Sequence, residues 1–257
     1  MRMSQPQASL MEKRLTSKLN KALRNYGLID NGDNILVALS GGKDSLCLLD
    51  LLVKRRKIFI PQFTLQAIHV RMENIAYHTD TGYLEEFCRD RDVPLHIVTT
   101  SFDPSTDKRK SPCFLCSWMR RKEMFNFAQQ LGCNKIALGH HNDDIIHTAL
   151  MNECFQGRFD TMPALLKMNK MPLAIIRPLC LCEEADIRAY AAQQGYKKQI
   201  KTCPYEKESF RDDIKEIFQR MEKLNPDARH SIWNALEREG KIVEGIVCHS
   251  KEDQRLL

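Results

Sequence analysis

From residue 10 to residue 26 the chain sets Leu10, Leu15, Leu19, Leu23 and Tyr26 at helical spacing, with Lys13, Arg14, Lys18, Lys21 and Arg24 between them. That pattern predicts a basic amphipathic helix. Asn31-Gly32-Asp33 breaks it, and the apolar run Ile35 to Leu39 predicts a buried strand. From Asp44 onward (Leu46, Leu48, Leu49, Leu51, Leu52, Val53) the chain is apolar on most sides, as a helix packed against a sheet must be. The alternation continues with a strand over Leu65 to Val70, a polar helix near Gly82 to Arg91 and a strand over Leu95 to Thr99. A helix from Ser117 to Leu131 closes on Gly132, and a strand over Lys135 to Leu138 leads into a helix from Asp144 to Phe155. A strand over Leu173 to Ile176 and a helix from Glu183 to Gln194, closing on Gly195, complete the series. After Cys203 only helical patterns remain, around Phe210 to Leu224 and after Pro226. Strands alternating with helices predict an α/β fold with a doubly wound, mostly parallel sheet and helical N- and C-terminal extensions. The expected division is a basic helical extension over 1–32, an α/β domain over 33–200 and a C-terminal helical segment over 201–257.

Composition narrows the class. The 257 residues, 43% hydrophobic and 28% charged, are enough for one sizeable core and a smaller appendage. No apolar run reaches membrane-spanning length, and Met1 to Gln5 lacks the apolar stretch of a signal peptide, so a cytoplasmic protein away from membranes is expected. Ten cysteines in a reducing compartment argue against a disulfide framework and direct attention to metal or redox chemistry. The net charge of +6 hints at an anionic partner.

Ser40-Gly41-Gly42-Lys43-Asp44-Ser45 falls where the first strand becomes a helix. Two glycines let the backbone turn its N–H groups toward an anion, the helix adds its positive end, and Lys43 adds a full charge. The stretch is not a Walker A loop, because the earlier glycine is missing and Asp44 follows the lysine. An aspartate there faces away, caps the helix or meets Mg²⁺. The plain alternative is a glycine turn with an aspartate cap.

Pro112-Cys113-Phe114-Leu115-Cys116 is a single Cys-x-x-Cys without a partner pair at zinc-site spacing. Arg120, Arg121 and Lys122 follow it and would stabilise thiolates, or simply form a solvated basic face. Gly139-His140-His141-Asn142-Asp143-Asp144 sits at the carboxyl edge of the sheet, where ligands of this architecture bind. Asp143 or Asp144 is expected to cap the following helix, and the second histidine to be structural.

Together these motifs resemble the TtcA family of tRNA 2-thiocytidine synthases, a branch of the PP-loop ATP-pyrophosphatase superfamily. The resemblance rests on Ser40 to Ser45, on Cys113-x-x-Cys116 with Arg120-Arg121, on Ala137 to Ile145, on Ile176-Arg177-Pro178-Leu179 and on Cys203. It covers most of the chain from about Lys21 to Cys203. It implies a PP-loop (adenine nucleotide alpha hydrolase-like) fold, ATP as substrate, Mg²⁺, and a [4Fe-4S] cluster on Cys113, Cys116 and Cys203. The implied reaction transfers AMP to the C2 oxygen of cytidine 32 in the tRNA anticodon stem-loop, which sulfur then displaces. Three ligands on four irons would leave one iron open to sulfide; a persulfide on one cysteine is the rival route. The sulfur comes as sulfide or from a cysteine desulfurase, and a homodimer is compatible with the family.

On this reading Lys43 and the backbone of Gly41 and Gly42 hold phosphates, Ser40 and Ser45 donate hydrogen bonds, and Asp44 is a candidate for Mg²⁺ or for orienting the loop. His69 and Gly139 are further nucleotide contacts. The resemblance alone makes Asp143 the manager of a proton or metal and Arg120 the stabiliser of the adenylated intermediate. Three departures stand out: Cys180 and Cys182 are additional, Cys203-Pro204-Tyr205-Glu206 lacks a second Cys-x-x-Cys, and His69-Val70-Arg71 replaces an acidic residue. The N-terminal basic helix and Lys54-Arg55-Arg56-Lys57 are candidate RNA phosphate contacts. Competing readings are a thiolase for a uridine or another tRNA position, a small-molecule sulfur-transfer enzyme, a non-catalytic zinc or iron–sulfur RNA-binding module, and an amide-forming PP-loop ligase using ammonia.

Overall fold

The structure, a computed structural model, describes residues 9–74, 79–103, 111–169, 171–198 and 210–244. Cys203, the loop over 107–110 and the final stretch from 245 lie outside the described residues.

Helix α1 (Leu10–Tyr26) begins where the Ser9 hydroxyl accepts the Glu12 N–H at 3.1 Å and ends on Gly27 at φ 59°. Its stripe of Leu15, Leu19, Ala22 and Leu23 is buried. Strand β1 (Asp33–Ala38) leads through the glycine loop into α2 (Lys43–Arg56). Strand β2 (Phe63–Met72), α3 (Thr81–Arg89), β3 (Leu95–Thr100), α4 (Pro112–Gln130), β4 (Lys135–Ala137) and α5 (Asn142–Gln156) follow. Two short strands, β5 (Leu165–Lys167) and β6 (Ala174–Ile176), precede α6 (Glu184–Gln193). Helices α7 (Arg211–Leu224) and α8 (Ala228–Arg238) and strand β7 (Val243–Glu244) complete the described chain.

One seven-stranded sheet runs in the order β3-β2-β1-β4-β6-β5-β7. The five strands from β3 to β6 are parallel; β5 is antiparallel to β6, and β7 is parallel to β5. Ile35 sits between Leu65 on one side and Lys135 on the other, so β1 occupies the switch point of the sheet. Alternate residues of β1 face opposite layers. Ile35 and Val37 join one buried cluster with α1, α2 and α6, while Leu36 joins Ile68, Ile136 and Ala128 of α4 on the other face. Every residue of α2 from Ser45 to Val53 is buried, which explains its lack of a polar face.

Three expectations are corrected. Helix α4 starts at Pro112, five residues before Ser117, because Ser111 caps it through the Phe114 N–H at 3.2 Å and Pro112 takes the first position. Cys113 and Cys116 therefore lie on its first turn rather than in a loop. The stretch beyond Cys203 is not wholly helical, since β7 pairs with β5. Nor do the ends stand apart: Leu15 and Leu19 of α1 and Trp233 and Leu236 of α8 belong to the main core cluster.

Candidate active site

The loop after β1 is built from its own hydroxyls. Ser45 Oγ donates to the Gly42 carbonyl at 2.9 Å, lies 3.2 Å from Ser40 Oγ, and Ser40 Oγ accepts the Gly42 N–H at 3.3 Å. Gly41 adopts φ 82°, which a side chain would strain. Ser45 is buried, so its hydroxyl shapes the loop from within. Gly42 caps α2 with no side-chain partner, leaving the helix's positive end open.

The loop after β4 lies directly against this turn. A Cβ on Gly139 would fall 3.0 Å from the Ser45 nitrogen and 3.1 Å from the Asp44 carbonyl carbon. The expected nucleotide contact at Gly139 is thus first a close approach of two backbones. Gly139→Ala should push the glycine loop off the β4 edge, lowering stability by about 1–3 kcal/mol and weakening ATP binding. Denaturant unfolding and nucleotide titration on the same variant read both effects.

Helix α5 is capped by His141, not by Asp143 or Asp144. His141 Nδ1 accepts the Asp144 N–H at 3.4 Å, and Asp144 Oδ2 accepts the His141 N–H at 3.0 Å, a reciprocal capping box. The imidazole proton is then on Nε2, which lies 3.8 Å from Asp44 Oδ1 and 3.5 Å from Asp144 Oδ2. Asp44 and Asp144, from opposite walls, so converge on one ring.

Asp143 is held on both oxygens. Oδ2 accepts the Glu184 N–H at 2.7 Å and Oδ1 accepts Arg229 Nη2 at 2.9 Å. Burial works against its charge, but those two partners bring its pKa below the usual carboxylate range. That carboxylate is suited to fixing the helix entrance rather than to taking up a proton. Arg229 also donates to Asn142 at 2.8 Å and to Glu222 at 3.0 Å, tying α8 to the start of α5.

Lys43 lies 3.0 Å from Asp44 and 3.2 Å from Glu184, which lift its pKa despite burial. Glu184, at the start of α6, also meets Arg188 and Lys215, each at 2.9 Å. Lys43, Asp44, His140, Asp143, Asp144 and Glu184 line a common recess of about 220 Å³ with α7 residues Arg211, Asp212 and Lys215.

These shifts fix the acid response. His140, His96 and His147 have depressed pKa values, His140 pushed down to about 3 by burial and by Arg177, Arg211, His141 and Arg121. Their unfolded counterparts protonate below about pH 6.5, so folding stability should start to fall there. Asp50, Asp143, Glu183 and Glu184 are also depressed. Their contribution is complete above about pH 5 and is lost as pH falls through and below about 4. Urea midpoints measured from pH 7.5 to 3.5 should decline gently at first and steeply below about 4.5.

Cys113 is exposed and Cys116 half-buried, three residues apart on one face of α4, with Arg120 a turn further along. Cys116 packs with Leu115 and Met119 against Met72 and Phe102, the residues at and just beyond the carboxyl ends of β2 and β3. The pair therefore occupies the same sheet edge as the glycine loop, on the β2–β3 side. Two soft thiol donors on one helix turn beside an apolar cluster fit iron–sulfur ligation by donor type. Among the described residues no third metal-ligating side chain gathers with them, and Cys203 lies outside those residues. Cys180 and Cys182 are fully buried at the entrance to α6, and burial pushes both thiols up, Cys182 to about 12.

His69, expected among the nucleotide contacts, sits beside the root of the glycine loop. It is 2% exposed and its Nδ1–H donates to the Leu39 carbonyl at 2.7 Å, bracing the root of the loop from beneath. Arg121 is desolvated, and its charge acts on His140 and Arg177. Much of the basic surface is used internally. Arg14 and Lys18 pair with Glu183 and Asp186, Lys54 with Glu12 and Asp50, and Arg56 donates to backbone carbonyls. Exposed Lys13, Lys21, Arg24 and Lys57 are the candidate phosphate contacts that remain. Among the described residues no helix is long and apolar enough to cross a membrane.

Comparison with known proteins agrees with this geometry. The PP-loop domain family matches residues 11–219. A tRNA-cytidine(32) 2-sulfurtransferase of Saccharophagus degradans is 34% identical over 242 residues, covering 92% of this chain and 77% of its own. That of Pseudomonas putida strain F1 is 32% identical over 234 residues, covering 88% and 84%. Among solved structures, the U34-tRNA thiolase NcsA from Methanococcus maripaludis, with its [4Fe-4S] cluster, superposes with a TM-score of 0.75 at 27% identity. That match covers 93% of this chain and 81% of NcsA. With its glycine loop, its Cys-x-x-Cys helix and its β4 edge assembled on one side of a parallel sheet, the chain belongs to the PP-loop family, in the branch of the tRNA-cytidine(32) 2-sulfurtransferases.

Proposed function

We propose that the chain is an ATP-dependent tRNA sulfurtransferase that makes 2-thiocytidine at position 32. The observation that carries this reading is the sharing of one sheet edge by the phosphate cradle and the Cys113–Cys116 turn, in a chain whose relatives carry that activity in their names.

A pyrimidine C2 oxygen is a poor leaving group, and joining it to AMP makes it a good one. The open end of α2 and Lys43 stabilise the departing pyrophosphate. Lys43 must exchange Asp44 and Glu184 for phosphate oxygens, so ATP binding loosens the contact between α2 and α6. Asp44 is our candidate for the Mg²⁺ on the phosphates; Asp143 holds the wall of the recess; Arg120 faces the base from the cysteine helix. Cys113 and Cys116, with Cys203 as third ligand, would hold a [4Fe-4S] cluster, which when bound would supply sulfur at the sulfide level. The positive end of α4 favours the negative charge of such a group. Sulfur then displaces AMP at C2.

The base has to leave its stack to reach this edge, so the substrate is the anticodon loop rather than a paired stem. The likeness to NcsA supports a second reading, thiolation of uridine 34. Anaerobically reconstituted protein, ATP, Mg²⁺, sulfide and unmodified tRNA test both. Nucleoside analysis should yield 2-thiocytidine; 2-thiouridine alone would establish the second reading, and neither product would overturn both.

A further inference from the structure

Arg177 follows β6 and is 2% exposed. Its Nε donates to His140 Nδ1 at 3.2 Å, and its Nη1 donates to the Pro163 carbonyl. A guanidinium cannot accept a hydrogen bond, so His140 Nδ1 must be the acceptor and the imidazole proton must reside on Nε2. Burial works against the charge of Arg177, while Asp144 and Glu244 favour it through the field. Protonating His140 would set two cations side by side at that distance. Arg211 of α7 and Arg121 of α4 add the same opposition. His140 lines the recess together with Lys43, Asp44 and Asp144, and among the described residues no acceptor is seen for its Nε2.

We propose that Arg177 is a positioning residue that locks His140 in the Nε2–H tautomer, so that His140 presents one fixed neutral donor to an anionic oxygen of the nucleotide bound beside Lys43. A neutral donor suits that place. It stabilises charge developing on a phosphoryl oxygen, and it does not change its protonation state as pH or phosphate charge varies. The backbone anchor on Pro163 fixes the guanidinium, which in turn fixes the ring, as outer-shell partners of ligating histidines do. The inference rests on ATP occupying this edge but not on which base is thiolated.

Nitrogen-15 NMR of histidine-labelled protein tests the lock without any substrate. His140 should show a protonated Nε2 and an acceptor Nδ1, unchanged from pH 8 to pH 5. Arg177→Met should give a mixture of tautomers and a His140 titration moved up toward pH 6.5. In pyrophosphate release, His140→Ala should lower the rate about 10²-fold, and His140→Gln, whose amide retains a donor, should recover part of it. A proton on Nδ1 in the unmodified protein, an ordinary His140 titration, or a His140→Ala rate equal to that of the unmodified protein would each overturn the proposal. Should Arg177→Met fail to fold, the spectrum of the unmodified protein and the His140 pair still decide it. A wrong tRNA base would leave the tautomer untouched.

Discussion

Lys43→Ala should lower ATP-dependent pyrophosphate release about 10²–10³-fold, the usual cost of removing a preorganised charge from a forming anion. The structure also predicts what the variant retains. Lys43 bridges Asp44 and Glu184, so its loss leaves two carboxylates facing each other at the mouth of the recess. Glu184 keeps Arg188 and Lys215, and the fold should persist. The defect should therefore appear in nucleotide affinity and turnover, with an unchanged urea midpoint. Lys43→Arg retains the charge but replaces a compact ammonium with a planar fork that does not fit so tight a turn, and should recover little. Single-turnover pyrophosphate release and equilibrium unfolding on the three proteins check this. An alanine variant with unimpaired release would remove the loop from the chemistry.

Asp50→Ala should be the most destabilising single change away from the site, by about 3–5 kcal/mol. Asp50 sits on the inner face of α2, 4% exposed. It accepts from Arg91, just beyond α3, at 2.9 Å, from Tyr196 at 3.2 Å and from Tyr190 of α6, and Lys54 lies 3.5 Å away. Lys54 in turn donates to Tyr190 at 2.7 Å and meets Glu12 of α1 at 3.0 Å. The carboxylate thus ties α2 to α6 and to the turn after α3, and its removal leaves Arg91 and two tyrosine hydroxyls without their acceptor. Asp50→Asn keeps one acceptor oxygen but loses the charge, and should fall between the two. Urea unfolding at pH 7 measures the difference; a loss below about 1 kcal/mol would put the pair among ordinary surface bridges.

What the chain disclosed by itself follows from how locally each feature is encoded. The glycine loop was legible because strand, turn and helix signals sit within a dozen consecutive residues. The β4 edge was legible because parallel sheets bind ligands at their carboxyl ends. Helix α4 begins five residues before the expected Ser117, at the helix-start signal Ser111-Pro112. Strand β7, two residues long, is too short to carry a period. Glu184 and Arg229 were missed for a different reason. Their partners Lys43, Asn142 and Asp143 lie far along the chain, and no local pattern records such a meeting. The basic helix was legible as basic, but which of its charges face inward depended on Glu183 and Asp186.

The central position of β1 has a consequence for biosynthesis. Ile35 pairs with Leu65 and with Lys135, and the wall that closes on Ser45 is Gly139. At about 5–20 residues per second a ribosome needs about 4–14 s to extend from one pairing partner to the other. Through that interval the nascent β1 has one neighbour and an open flank, while the buried faces of α2 await α6. Nucleotide added to stalled nascent chains should protect them from protease only after the β4–α5 segment has cleared the exit tunnel.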